Sequence, residues 1–208
     1  VTSPNGGNGM NVTAKLDRCF FRSEWSMDSK ALFVAANDFN TVSLWMQPVN
    51  GAAKKLNTSN LTITGSYWYN YTAGKNNSIA MIASTAQSPQ ELYFMANPES
   101  APKQLTNFHL EMKSVRLGKV ETFSWKSDEF TPNGILTFPP DFDPTKKYPM
   151  VVHIYDVMSD ELHQYVNPSF SNREGFNVTN YTLNGYFVLM PDIIYQMGNP
   201  GSSTVDCV

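Results

Sequence analysis

A repeated pattern of short strands, then a strand–crossover–strand pattern, predicts a mixed fold: β-propeller blades followed by an α/β segment. The repeat is the first observation. Strand patterns at Ala31–Ala36 and Val42–Pro48 flank a polar break, and an Asn50-Gly51 turn leads into Lys54-Lys55-Leu56-Asn57. About 48 residues later the same order returns, as such architectures require. Ser78–Ser84 is followed by a break and then by Glu91–Thr106. Leu92-Tyr93 stands where Leu44-Trp45 stood, and Leu105 stands for Leu56. The second observation is a pair of nearly continuous apolar runs, Met150–Tyr155 and Gly185–Asp192, about 30 residues apart.

Each element has a local reason. Asn-Gly between strand-like runs is a strong hairpin signal, because both residues tolerate the left-handed backbone such turns need. A period of 40–50 residues made only of short strands marks propeller blades. A plain antiparallel sandwich with similar hairpins is the alternative. The conserved internal order (strand, break, aromatic strand, turn, K-x-L-[NT]) favours blades. Two blades cannot close a ring, which takes four to eight, so further blades are expected upstream.

From Val120 the pattern changes. Val120–Ser127 alternates loosely and predicts an exposed or edge strand, and Gly134–Phe138 predicts a further strand, ended by Pro139-Pro140. The segment Asp141–Pro149 is rich in the turn formers Asp and Pro. Met150–Tyr155 and Gly185–Asp192 predict strands buried on both faces, and the connection Asp156–Asn184 is long enough for a crossover with one helix. Ser202 or Ser203 is expected to cap a further helix.

Composition excludes several classes. Of 208 residues, 41% are hydrophobic and 16% charged, which describes a globular chain rather than a disordered one. The net charge of -3 and the lack of a basic cluster argue against nucleic acid. No apolar run reaches membrane-spanning length, and the N-terminus has no signal-peptide pattern. Cys19 and Cys207 are expected to be buried free thiols rather than a pair. Seven N-x-S/T triplets begin at Asn11, Asn57, Asn60, Asn70, Asn76, Asn177 and Asn180. In a chain this rich in Asn, Ser and Thr, chance is the favoured source. His153 is expected to be a hydrogen-bonded core residue. Neither it, His109 nor His163 keeps a metal-ligand spacing, so no metal or cofactor is expected. Trp45, Trp68, Tyr69, Tyr71 and Trp125 are expected at blade interfaces rather than on a ligand platform.

Taken together, the strand repeats, E-x-F-S-W at Glu121–Trp125, NGILTFPPDFDPTKKYPMVVHIY at Asn133–Tyr155 and GYFVLMPD at Gly185–Asp192 resemble the prolyl oligopeptidase family of serine peptidases. That family includes dipeptidyl and acylaminoacyl peptidases. The resemblance implies that residues 1–117 are the last blades of a β-propeller and residues 118–208 the N-terminal part of an α/β-hydrolase domain. It implies a peptide substrate and hydrolysis through an acyl-enzyme. The nucleophile of that fold sits in G-x-S-x-G, with Asp and His following. The sequence contains no such motif, so the triad is expected beyond Val208 and this chain alone is expected to be inactive.

Tyr155 matches the family tyrosine whose hydroxyl donates to the oxyanion. The chain departs from the pattern in two places. YDVMSD replaces the family's glycine-proline turn, and PDIIYQMGNPG keeps Gly198 and Gly201 but lacks the family's arginine. The alternative is a non-catalytic propeller-type binding module with a vestigial α/β segment. A third reading, a β-sandwich adhesin, conflicts with the parallel crossover. Oligomeric state stays open, a homo-oligomer included, and an extracytoplasmic location is favoured over the cytoplasm.

Overall fold

Runs of β-branched and aromatic residues in the first half form strands, and their burial depends on which face meets a neighbour. A computed structural model describes residues 1–208 apart from 66–67, 129 and 170–174. One compact unit comprises Val1–Asp38, Val42–Thr85 and Gln90–Phe108, and a second comprises His109–Val208 with Phe39–Thr41 and Ala86–Pro89.

The first unit holds two sheets. Strands β1 (Arg22–Trp25), β2 (Ala31–Asn37), β3 (Val42–Pro48) and β4 (Lys54–Lys55) form an antiparallel meander in sequence order. The second sheet uses β5 (Thr62–Ile63), β6 (Tyr71–Ala73), β7 (Ile79–Thr85), β8 (Ser88–Met95) and β9 (Lys103–Gln104) in the order β5-β7-β8-β9. β6 also pairs with β7, so two short segments share the place of one strand.

The two sheets repeat one another closely. The Leu56 amide donates to the Leu44 carbonyl at 2.8 Å, and the Leu105 amide donates to the Leu92 carbonyl at the same distance. Their faces tell how they stack. Leu44 and Leu56 lie in the core shared with Tyr93 and Met95 of the second sheet. Their counterparts point away from it: Leu92 is only partly buried and Leu105 is 52% exposed. In a sandwich of opposed hairpins, equivalent residues would meet in the middle. Here equivalent residues point the same way. That is a stack of like units rather than a pair of opposed hairpins.

β2 is buried along nearly its whole length because both of its faces are covered. Phe33 and Ala35 face the second sheet. Leu32, Val34 and Ala36, with Trp45 of β3, are covered by Val12, Leu16 and Phe20 of the N-terminal segment. Asp38 ties that segment down. Its carboxylate accepts from Arg18 at 3.0 Å, Lys55 at 2.6 Å and Ser43 at 3.1 Å.

Glu24 joins the two sheets. It accepts from Thr72 at 2.9 Å, from the Ala73 amide at 2.7 Å and from Arg22. Burial alone would raise its carboxyl, but the Ala73, Arg22 and Thr72 hydrogen bonds outweigh that and hold it below its ordinary range. A depressed carboxyl stabilises the fold above the unfolded value, and that stability is lost as pH falls through the folded one. Glu24→Gln is therefore expected to lower Tm at pH 7. The gap from the unaltered protein should narrow below about pH 4.5, which thermal melts across pH 3–7 measure.

The second unit is a four-stranded mixed sheet. It contains β10 (Val120–Ser124), β11 (Asn133–Thr137), β12 (Met150–Val152), helix α1 (Val178–Leu183), β13 (Phe187–Pro191) and helix α2 (Pro200–Cys207). The sheet order is β10-β11-β13-β12, with β12 parallel to β13 and the other pairs antiparallel. β10 lies at an edge, as its loose alternation predicts. The crossover from β12 to β13 carries a 3-10 turn at Ser159–Glu161 and then α1. Part of it, 170–174, lies outside the described residues.

Gly134 allows the β11–β13 pairing. A side chain there would come within 2.7 Å of the Met190 carbonyl oxygen.

The segment between β11 and β12 is an aromatic clasp. Phe142 and Tyr148 pack on Phe187 at ring distances of 5.3 and 5.7 Å, and Phe138 joins them at 4.9 Å. Asp143 Oδ1 accepts from the Thr145 amide at 3.0 Å and its hydroxyl at 2.7 Å, closing the turn.

Several expectations need correction. The run Met150–Tyr155 forms a strand only over Met150–Val152, and it is not buried on both faces. Met150, Val152 and Ile154 are 50%, 42% and 46% exposed. β12 is the sheet edge, and only its other face, through Val151, meets the core of Ile135, Val188 and Met190. His153 is half-buried and stacks on Phe176, with ring centroids 4.0 Å apart, instead of lying in a core. Cys19 is exposed, while Cys207 is buried; both are free. The C-terminal helix starts before the expected serines: Asn199 is its N-cap and Pro200 its first residue, and Ser203 is fully buried inside it.

The aromatic residues divide. Trp45, Tyr69 and Tyr71 are buried, whereas Trp68 is 72% exposed. Trp125 lies in the second unit, stacked on Phe123, its indole N–H donating to the Cys207 carbonyl at 3.1 Å. The triplet asparagines divide similarly. Asn11, Asn57, Asn60, Asn70 and Asn76 are exposed. Asn177 and Asn180 have their amides engaged with the Asn167 and Ser169 carbonyls.

Candidate functional site

Parallel strands linked by a crossover end side by side, and the loops leaving their carboxyl ends are where α/β sheets build sites. Here those loops begin at His153 and at Asp192. Tyr155 leaves β12 and lines a cleft of about 390 Å³ in the second unit, together with His153, Met158, Glu161, Phe176 and Asn177. The cleft lies against the core face of the sheet, where Ile135 and Met190 form its apolar floor.

Tyr155 is 74% exposed. Among the described residues, its hydroxyl has no hydrogen-bond partner. A phenol of this kind can donate to an incoming oxygen. As it stands it faces solvent, and the described residues do not supply the water-excluded surroundings that make such donors strong.

The loop that carries Tyr155 is held from one side. Asp192 Oδ1 accepts from the amides of Met158 and Ser159, both at 2.7 Å. The Ile193 amide donates to the Asp156 carbonyl at 3.2 Å, and the Tyr195 hydroxyl donates to the Tyr155 carbonyl at 3.0 Å. Asp192 is itself fixed. It is 8% exposed, and its amide donates to the Asn133 carbonyl of β11 at 2.7 Å. Sequence reasoning weighed PDIIYQMGNPG only for its glycines and its missing arginine, and missed Asp192 and Tyr195. The available signal was an aspartate directly after a buried strand, where a carboxylate meets the free amides of a neighbouring loop.

The remaining histidines lie apart. His109 is 3.9 Å from the Glu111 carboxylate at an exposed position. Burial pushes His163 below its ordinary value and favours its neutral form. Among the described residues, no group of three or more His, Cys, Asp or Glu converges as metal ligands would. Among the described residues, no helix is long and apolar enough to cross a membrane.

No protein-family model matches the sequence, and no curated protein matches it. Solved structures do. The chain superposes on an acylaminoacyl peptidase from Pyrococcus horikoshii with a TM-score of 0.66 and 17% identity, over 87% of this chain and 26% of that one. An acylaminoacyl peptidase in complex with Z-Gly-Gly-Phe-chloromethyl ketone gives 0.66 and 17%, over 89% and 27%. AtxE2 isopeptidase gives 0.61 and 14%, over 83% and 25%. At such identities the likeness is one of fold. The chain spans about a quarter of the length of these structures.

Proposed function

We propose that this chain is part of a serine peptidase of the prolyl oligopeptidase type, which hydrolyses peptide bonds through an acyl-enzyme. In this reading residues 1–117 are the last blades of a β-propeller. Residues 118–208 open an α/β-hydrolase domain whose Ser, Asp and His lie beyond Val208. Tyr155 donates its hydroxyl to the oxyanion of the tetrahedral intermediate. The observation that carries the reading is the order β10-β11-β13-β12, with its parallel β12–β13 pair joined by a helical crossover and Tyr155 at the carboxyl end of β12. The like stacking of the two meanders and the fold likeness to peptidases support it. A binding module with a vestigial α/β segment is the competing reading.

Serine-directed fluorophosphonate separates the two. On the complete protein it should label one serine beyond residue 208 stoichiometrically. The chain of residues 1–208 should stay unlabelled and hydrolyse no aminoacyl or dipeptidyl ester, since a lone oxyanion donor cannot form an acyl-enzyme. Saturable labelling of a serine within 1–208 overturns the reading, and a complete protein that takes no label favours the binding module.

A further inference from the structure

We infer that Asp192, assisted by Tyr195, is a positioning residue that holds Tyr155 where its hydroxyl can act, in place of a glycine-proline turn. The inference rests on the oxyanion reading of Tyr155.

A side-chain donor is useful only if its main chain is fixed to within a fraction of an ångström, because misplacement by about 1 Å costs on the order of 100-fold in rate. Upstream, Tyr155 is anchored by the β12 ladder, which extends to the His153 amide donating to the Leu189 carbonyl at 2.9 Å. Downstream, YDVMSD offers no proline or glycine to restrict the backbone. The main-chain groups of Tyr155, Asp156, Met158 and Ser159 are instead bonded to Asp192–Tyr195, and the Ser159 hydroxyl adds a bond to the Phe39 carbonyl at 3.2 Å.

The Asp192 carboxylate is the strongest of these. It gathers two amides at the start of a 3-10 turn onto one oxygen, each at 2.7 Å. Met158 and Leu162 flank that turn with their side chains in the core, so the turn is pinned from both sides. Removing the carboxylate leaves two amides in a buried place without their acceptor and frees the segment next to Tyr155. Tyr195 acts nearer to the target, since its hydroxyl bonds the Tyr155 carbonyl directly.

The test uses the complete protein with 3-fluorotyrosine at position 155, read by fluorine NMR and by hydrolysis of a peptide ester. Asp192→Asn keeps an acceptor oxygen of the same shape and is expected to stay within about threefold of the unaltered kcat, with an unchanged line. Asp192→Ala is expected to lower kcat roughly 10–100-fold at nearly constant KM and to broaden or shift the line. Combined with Tyr155→Phe it should add almost nothing, since both changes remove one function. A folded Asp192→Ala protein with an unmoved line, or an additive double variant, overturns the inference. If Asp192→Ala does not fold, Tyr195→Phe decides. A fall of about three- to tenfold with a broadened line supports the positioning role, and an unchanged rate and line overturn it. A complete protein without hydrolytic activity would remove the oxyanion reading alone, because the fluorine line still reports whether Asp192 orders Tyr155.

Discussion

If Tyr155 donates to the oxyanion as proposed, replacing it by phenylalanine in the complete protein is expected to lower kcat by about 10²–10³-fold with little change in KM. The argument is one of timing. A phenol aimed at the developing oxyanion contributes in the transition state and little in the ground state, so its loss appears in kcat. The hydroxyl is suited to that role because, among the described residues, it has no internal partner to give up. A tyrosine that merely packs would behave differently. At 74% exposure Tyr155 buries little, and loss of its hydroxyl would leave both kcat and stability close to normal. Stopped-flow measurement of acylation on an ester substrate isolates the step concerned. A rate within about twofold of the unaltered protein would sink the oxyanion role while leaving the observed sheet order untouched.

What the sequence disclosed and what it hid follow from the range of the forces involved. The repeat of strands was legible because strand alternation and the Asn50-Gly51 turn are local, and Leu44, Leu56, Leu92 and Leu105 occupy matching hydrogen-bonding places. The unequal burial of Leu56 and Leu105 was not, since it depends on whether another sheet covers that face. The same cause explains Met150–Tyr155. A continuous apolar run says what a strand is fit for, and cover from distant segments decides what it meets. Tyr155 came from a resemblance of motifs; its spacing alone would have suggested a packing residue. Asp192 was missed because its partners, Met158 and Ser159, lie 34 and 33 residues away, and no local period links them.

The open face of β12 carries the second large effect. Met150, Val152 and Ile154 form one apolar stripe, each about half exposed. Among the described residues β12 pairs only with β13, so its other edge presents unpaired amides and carbonyls. An exposed edge strand with an apolar face is a template for pairing with another chain. The chain of residues 1–208, prepared alone, is therefore expected to associate and to bind hydrophobic dye. Light scattering should rise with concentration. Val152→Lys should suppress that association, because a charge on an exposed edge opposes edge-to-edge pairing. In the complete protein the sign should reverse. If further parts of a hydrolase sheet and its helices cover this stripe, a lysine at 152 is buried without a partner and costs roughly 2–5 kcal/mol, seen as a large fall in Tm. The two measurements together leave little room. A sharp, monomeric, cooperative melt of the unaltered 208-residue chain would mean that the stripe needs no cover. A complete protein indifferent to Val152→Lys would mean that it receives none, and the hydrolase reading of residues 118–208 would fall with it.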